Sequence, residues 1–128
     1  MIVLLSNIVP QDPNNNRGIW EAIESAVRYQ AKKYHQLYVV TGPIFQGDQI
    51  QSLKGRVAIP TALFKCLYDV SKQQAGCYTA LNAPGTNYDV VPVAAVEQLT
   101  GFNLFPAMPP QTKGMAMRLA EPRLRGVQ

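Results

Sequence analysis

The feature of this 128-residue sequence that most constrains its fold is the stretch from Arg17 to Tyr34, in which apolar and charged side chains recur with a helical period. At about 100° per residue, the apolar side chains fall on one arc of a helix: Trp20, Ile23, Val27, Ala31 and Tyr34. Charged side chains of both signs occupy a second arc, with opposite charges at the i, i+4 pairs Arg17–Glu21 and Glu24–Arg28: Arg17, Glu21, Glu24, Arg28 and Lys32. Because opposite charges four residues apart stabilise a helix, we predict one long helix over 17–34 whose apolar arc packs on the rest of the fold.

The other segments predict short strands and one shorter helix. Pro92 stands just before the apolar stretch VAAVEQLT and Gly101 just after it, as is typical of the two ends of a helix. Strands are predicted at 2–5, at 37–41 up to Gly42-Pro43, at 57–59 up to Pro60, and at 64–70 and 77–81, which pair as a hairpin across Ser71–Gly76. This order predicts an α+β domain, with a mostly antiparallel sheet and the long helix packed on it.

Composition sets outer limits on the function. A net charge of +4 and a pI near 9.2 permit an anionic partner without establishing one. The N-terminal apolar run, Met1–Leu5, is too short for a signal-peptide core or a membrane span, so no membrane partner is expected. Cys66 and Cys77 show no zinc-binding spacing. A single cross-strand disulfide is one reading of them, but two buried free thiols are favoured, because free cysteine is usually buried.

The chain changes character near residue 110. After Phe105 it becomes Pro-rich, and residues 111–128 hold four basic residues against the single acid Glu121: Lys113, Arg118, Arg123 and Arg125. We therefore predict one domain over 1–110 and a basic C-terminal arm over 111–128 with little core of its own.

Residues 6–28 carry a motif of nine fixed positions: Ser6, Asn7, Pro10, Gln11, Asn16, Gly18, Trp20, Glu24 and Arg28. This pattern resembles the DNA/RNA non-specific endonucleases, the group that includes Serratia nuclease and mitochondrial endonuclease G, within the ββα-metal or His-Me finger nucleases. Further segments are similar to that family: YVVTGP at 38–43, Val57 to Lys65, EQLTG at 97–101 and Phe105-Pro106. The resemblance spans roughly residues 2–109.

The resemblance implies a nuclease that hydrolyses the phosphodiester bonds of DNA and RNA with Mg²⁺ or Mn²⁺. It implies that Asn16 is the direct metal ligand, that Glu24 orients metal-bound water, and that Arg28 lies near the phosphate. These roles suit the chemistry, because Mg²⁺ prefers oxygen ligands and a guanidinium fits anionic oxygens. Arg17, Arg28, Lys54 and Arg56 are candidate nucleic-acid contacts.

Taken singly, these residues have ordinary readings. Asn16 alone is a typical helix cap, and Glu24 with Arg28 is a common surface pair. Only their joint spacing favours the catalytic reading.

The family's general base is a histidine in an Asp-Arg-Gly-His motif upstream of the Ser-Asn segment, and this sequence contains no such motif. Its single histidine is His35, which lies about 28 Å from Asn16 along the predicted helix and cannot replace that base. We therefore expect a truncated chain, with a fold that lacks the N-terminal hairpin of the ββα-metal site. A homodimer, or the missing N-terminal fragment, is expected to cover the sheet edge left bare.

The alternatives are a non-catalytic module that binds nucleic acid or another nuclease, and an inactive remnant. Family members are often secreted, periplasmic or mitochondrial, but this sequence does not fix a compartment.

Overall fold

A computed structural model of the chain describes residues 2–6, 17–33, 36–45, 62–81 and 85–123. Within these ranges the elements are, in chain order, β1 (Ile2–Ser6), α1 (Arg17–Lys33), β2 (Leu37–Ile44), β3 (Ala62–Asp69), β4 (Gln74–Leu81), β5 (Asp89–Val91), α2 (Val93–Thr100) and α3 (Pro110–Lys113). The strand predicted at 57–59 and Tyr34 at the predicted helix end lie outside the described residues.

The five strands form one sheet in the order β1-β2-β3-β4-β5. β1 runs parallel to β2, and α1 connects them, as a parallel pair requires a crossover. The remaining neighbours, from β2 to β5, pair antiparallel. The predicted α+β class with a mostly antiparallel sheet is therefore confirmed.

Two apolar layers cover the two faces of this sheet, because successive strand residues point to opposite sides. On one face α1 packs through Trp20, Ile23 and Val27, which are at most 6% exposed, against Leu63 and Leu67 of β3. This confirms the predicted orientation of the helix. On the other face α2 and the segment after it pack on β3 and β4 through a second cluster: Phe64, Cys66, Cys77, Val93, Val96, Leu104 and Met108.

The ends of α2 follow the predicted proline and glycine. Pro92 is the N-cap, with extended backbone angles, so its lack of an N–H costs no helical hydrogen bond. Gly101 adopts a left-handed φ of 76° and donates its N–H to the Glu97 carbonyl, which closes the last turn.

Several predicted strand boundaries are wrong by one to three residues. β2 does not stop at Gly42-Pro43 but continues to Ile44. Proline is tolerated there because the pairing with β1 ends at Thr41, so the last residues of β2 have β3 as their only neighbour in the described sheet.

The β3–β4 hairpin is confirmed, but its turn is tighter than the predicted Ser71–Gly76. β4 already begins at Gln74. Gln73, with a positive φ of 52°, donates its N–H to the Val70 carbonyl and closes the turn.

The preference for free thiols is also wrong, because Cys66 and Cys77 form a disulfide. The two residues oppose each other directly on β3 and β4, and their Cα atoms are 4.0 Å apart. Both are fully buried. The hairpin register brings the two sulfur atoms together, and the number of cysteines in the sequence does not predict that register.

Part of the predicted arm packs on the domain. The Met117 N–H donates to the Ala75 carbonyl at 2.7 Å, and Leu119 joins the apolar cluster beneath α1. Gly76 permits this approach, because an added Cβ would lie 3.2 Å from the Met117 carbonyl oxygen. The division near residue 110 stays a prediction.

Candidate functional site

The two predicted catalytic side chains that the structure describes lie on the outer side of α1, one turn apart. The Glu24 side chain is 42% exposed. Arg28 is exposed, and its Nη2 donates to Ser25 Oγ at 2.9 Å. Among the described residues, the ion-pair partner of Glu24 is Lys65 of β3 rather than Arg28. Glu24 and Arg28 therefore do not form the surface ion pair that their spacing alone would suggest.

Both side chains line a cleft of about 510 Å³ along α1. The other described lining residues are Gly18, Glu21, Ala22 and Ser25 of the helix, together with Arg123 of the C-terminal segment. Two arginines, Arg28 and Arg123, thus share a cleft with Glu24. Guanidinium groups bind anionic oxygens with forked geometry, so this arrangement suits a phosphate-bearing ligand.

A row of polar residues crosses the sheet beneath α1. Thr41 of β2 pairs with Lys65 of β3, which pairs with Tyr78 of β4. Strand alternation places these three on the helix-facing side, with Lys65 between the buried Leu63 and Leu67. A lysine is rarely buried without a partner, so its contacts matter to the site.

The Lys65 ammonium has three described contacts. Its Nζ donates to Thr41 Oγ1 at 2.7 Å, lies 5.4 Å from the centre of the Trp20 ring, and lies 3.9 Å from Glu24 Oε2. Burial lowers the pKa of Lys65; the Glu24 carboxylate opposes this shift, and the Arg28 guanidinium adds to it. Lys65 thus links Glu24 on α1 to Thr41 and Trp20 in the interior of the domain.

A second polar group fixes the C-terminal segment against α1. The Gln30 amide nitrogen donates to the Tyr78 hydroxyl at 2.9 Å and to the Ala26 carbonyl at 3.0 Å. The Tyr78 hydroxyl donates to the Ala120 carbonyl at 2.5 Å, and the Ala120 N–H donates to Gln30 Oε1 at 3.1 Å. These bonds hold the chain three residues before Arg123.

The other predicted site residues are placed less fully. Arg17 is the first residue of α1, the helix start that the sequence predicts. Asn16, Lys54 and Arg56 lie outside the described residues, as does His35, so their roles stay predictions.

Sequence reasoning gave no role to Lys65 and no specific place to Arg123. Lys65 had a signal: it interrupts the alternating apolar positions Leu63 and Leu67 with a charge. Arg123 had none, because its place in the cleft depends on the hydrogen bonds of Ala120, which no local pattern predicts.

The sequence agrees with these observations. Residues 3–111 match the DNA/RNA non-specific endonuclease family, and the chain belongs to that family. The nine-position motif and Glu24, Arg28 and Lys65 all lie within the matched range.

Curated relatives include mitochondrial nucleases. The chain is 33% identical to nuclease EXOG of Danio rerio, with 84% of this chain and 37% of that protein covered. It is 30% identical to endonuclease G of Bos taurus, with 80% of this chain and 40% of that protein covered. A Nostoc nuclease is 29% identical, with coverage of 84% and 44%. The chain thus spans less than half the length of each of these three relatives, and no solved structure is significantly similar to it.

Proposed function

We propose that this chain is the part of a magnesium-dependent, sequence-non-specific endonuclease that carries the metal-binding helix, and that the whole enzyme hydrolyses phosphodiester bonds in DNA and RNA. One observation carries the proposal. Glu24 and Arg28, at the family's spacing, lie side by side in a cleft that also presents Arg123. The relatives named as nucleases support the same activity.

The residues fit a hard divalent cation. Among the described residues no three His, Cys, Asp or Glu side chains come close enough to hold a metal ion. A site built from the Asn16 amide oxygen, with Glu24 acting through water, needs no such cluster, because Mg²⁺ keeps several of its waters. The half-exposed Glu24 carboxylate can accept hydrogen bonds from water on its cleft side.

Each residue then has a task in hydrolysis. When bound, the cation neutralises charge on the phosphate and stabilises the departing 3′ oxygen. Asn16 would hold the cation, and Glu24 would orient a water molecule bound to it. Arg28 contacts a phosphate oxygen, and Arg17, Lys54, Arg56 and Arg123 bind further phosphates of the nucleic-acid backbone. The general base is supplied by a separate segment that carries Asp-Arg-Gly-His.

The test is nicking of supercoiled plasmid with Mg²⁺, with and without a separately made fragment that carries Asp-Arg-Gly-His. General-base catalysis is typically worth about 10²–10⁴-fold. We therefore expect slow nicking by the chain alone and recovery with the fragment. Asn16→Ala and Glu24→Ala should each abolish the recovered activity.

Glu21→Ala is the matched control. It removes another carboxylate that lines the same cleft, three residues from Glu24, and should nick like the wild type. Rapid nicking by the chain alone that is lost with His35→Ala would show that the base is misplaced. Oligonucleotide binding with no nicking under any condition would favour the non-catalytic binding module.

A further inference from the structure

Lys65 is costly to bury, which makes its position informative. Its side chain is 7% exposed, and along β3 it stands between the buried Leu63 and Leu67 beneath α1. Removing an ammonium from water costs several kcal/mol unless close partners compensate. A leucine or methionine there would pack at least as well, so packing does not explain a lysine at this position.

The contacts of Lys65 fix its ammonium but leave Glu24 partly free. The ammonium donates to Thr41 Oγ1 and lies over the Trp20 ring, and both contacts fix its position. The distance of 3.9 Å to Glu24 Oε2 is too long for a hydrogen bond, so the attraction is electrostatic. Lys65 therefore restrains the Glu24 carboxylate toward the sheet without occupying its oxygen atoms.

We propose that Lys65 is a positioning residue that restrains Glu24, so that this carboxylate reaches the metal ion through water instead of binding it directly. The inference rests on the proposed function, in which Glu24 orients water. A carboxylate on a flexible side chain beside a divalent cation tends to bind it directly, and it then no longer orients a water molecule. The fixed positive charge of Lys65 attracts the Glu24 carboxylate and so opposes its direct binding to the cation.

The test uses Mn²⁺ as the probe and the 128-residue chain with Lys65→Met. Methionine keeps the length of the side chain and removes the charge. We expect Mn²⁺ to bind about three- to tenfold more tightly, because the released Glu24 carboxylate can then bind the ion directly as an additional oxygen ligand. Water-proton relaxation should report about one fewer water on the bound ion, because Glu24 replaces it.

Two further variants test whether the effect passes through Glu24. In a Glu24→Gln background, Lys65→Met should change the Mn²⁺ affinity by less than about twofold, since independent substitutions add and coupled ones do not. Thr41→Val removes the acceptor that anchors the ammonium but keeps the charge, so it should shift hydration in the same direction by less.

Lys33→Met is the matched control, since Lys33 Nζ lies the same 5.4 Å from an aromatic ring, that of Tyr29, on the exposed side of α1. It should leave Mn²⁺ binding unchanged. The inference is wrong if Lys65→Met and Lys33→Met bind Mn²⁺ with the same affinity while Mn²⁺ binding by the wild type still depends on Asn16. It is also wrong if the effect persists without Glu24, or if Lys65→Met and Thr41→Val both fail to fold. A wild type that binds no Mn²⁺, or that binds it equally after Asn16→Ala, overturns the proposed function itself.

Discussion

Replacing Tyr78 by phenylalanine should loosen the C-terminal segment from α1. The substitution removes one hydroxyl that accepts from Gln30 and donates to the Ala120 carbonyl. Gln30 is 2% exposed, so its amide cannot turn to water, whereas the Ala120 carbonyl is only half-buried. A buried polar group left without its partner costs about 1–3 kcal/mol, and one that water can reach costs less. We expect a loss of about 2 kcal/mol in the free energy of unfolding.

Urea unfolding measures this loss, and it corresponds to a melting temperature lower by roughly 6–10 °C for a chain of this size. Tyr88→Phe is the control, because the Tyr88 ring packs 6.3 Å from that of Tyr78 but its residue is half-exposed. The control should stay within about 0.5 kcal/mol of the wild type. If the two variants unfold alike, the hydrogen bonds to Ala120 do not hold the segment in solution.

Three other results are expected. Trp20→Ala should cost about 3–5 kcal/mol in urea unfolding, because a core indole is lost; a cost below about 1 kcal/mol would contradict its burial. Arg123→Gln should make the slope of log binding constant against log salt concentration shallower by about one for an oligonucleotide without metal. Arg118 is an exposed arginine of the same segment that does not line the cleft, so Arg118→Gln should leave this slope unchanged. Equal slopes for the two variants would remove Arg123 from the interface. Burial lowers the pKa of Lys65 below 10.5, so the unfolded chain holds that proton more tightly, and the free energy of unfolding should rise with pH between the lowered pKa and 10.5. Lys65→Met should remove this rise when urea unfolding is measured across that pH range. An unchanged rise would refute the assignment.

Local periodicity predicted the parts of the fold that local chemistry determines. The arc of Trp20, Ile23 and Val27 set the face that α1 buries, and Pro92 and Gly101 set the ends of α2. The extension of β2 through Pro43 was missed because it depends on where β1 stops pairing. The disulfide was missed for a similar reason, since Cys66 and Cys77 meet only through the hairpin register.

The candidate site divides in the same way. Glu24 and Arg28 belong to one helix, so their spacing in the sequence was enough to bring them together. Lys65 approaches Glu24 from another element, across the interface between helix and sheet. Arg123 comes from a segment whose position depends on Gln30 and Tyr78, residues that carry no motif.

The hydrogen bonds around Gln30 also bear on the order of folding. They join residues 90 and 48 positions apart along the chain, and contacts of such long range form slowly because loop closure costs entropy. The apolar face of α1 can dock on the hairpin once residue 81 has been synthesised. The hydrogen bond between Gln30 of α1 and Ala120 can form only after about forty more residues have been added. Until then the Gln30 amide has no partner in the C-terminal segment, and the cleft lacks Arg123. During synthesis, the helix that carries Glu24 can therefore dock before Arg123 completes the cleft.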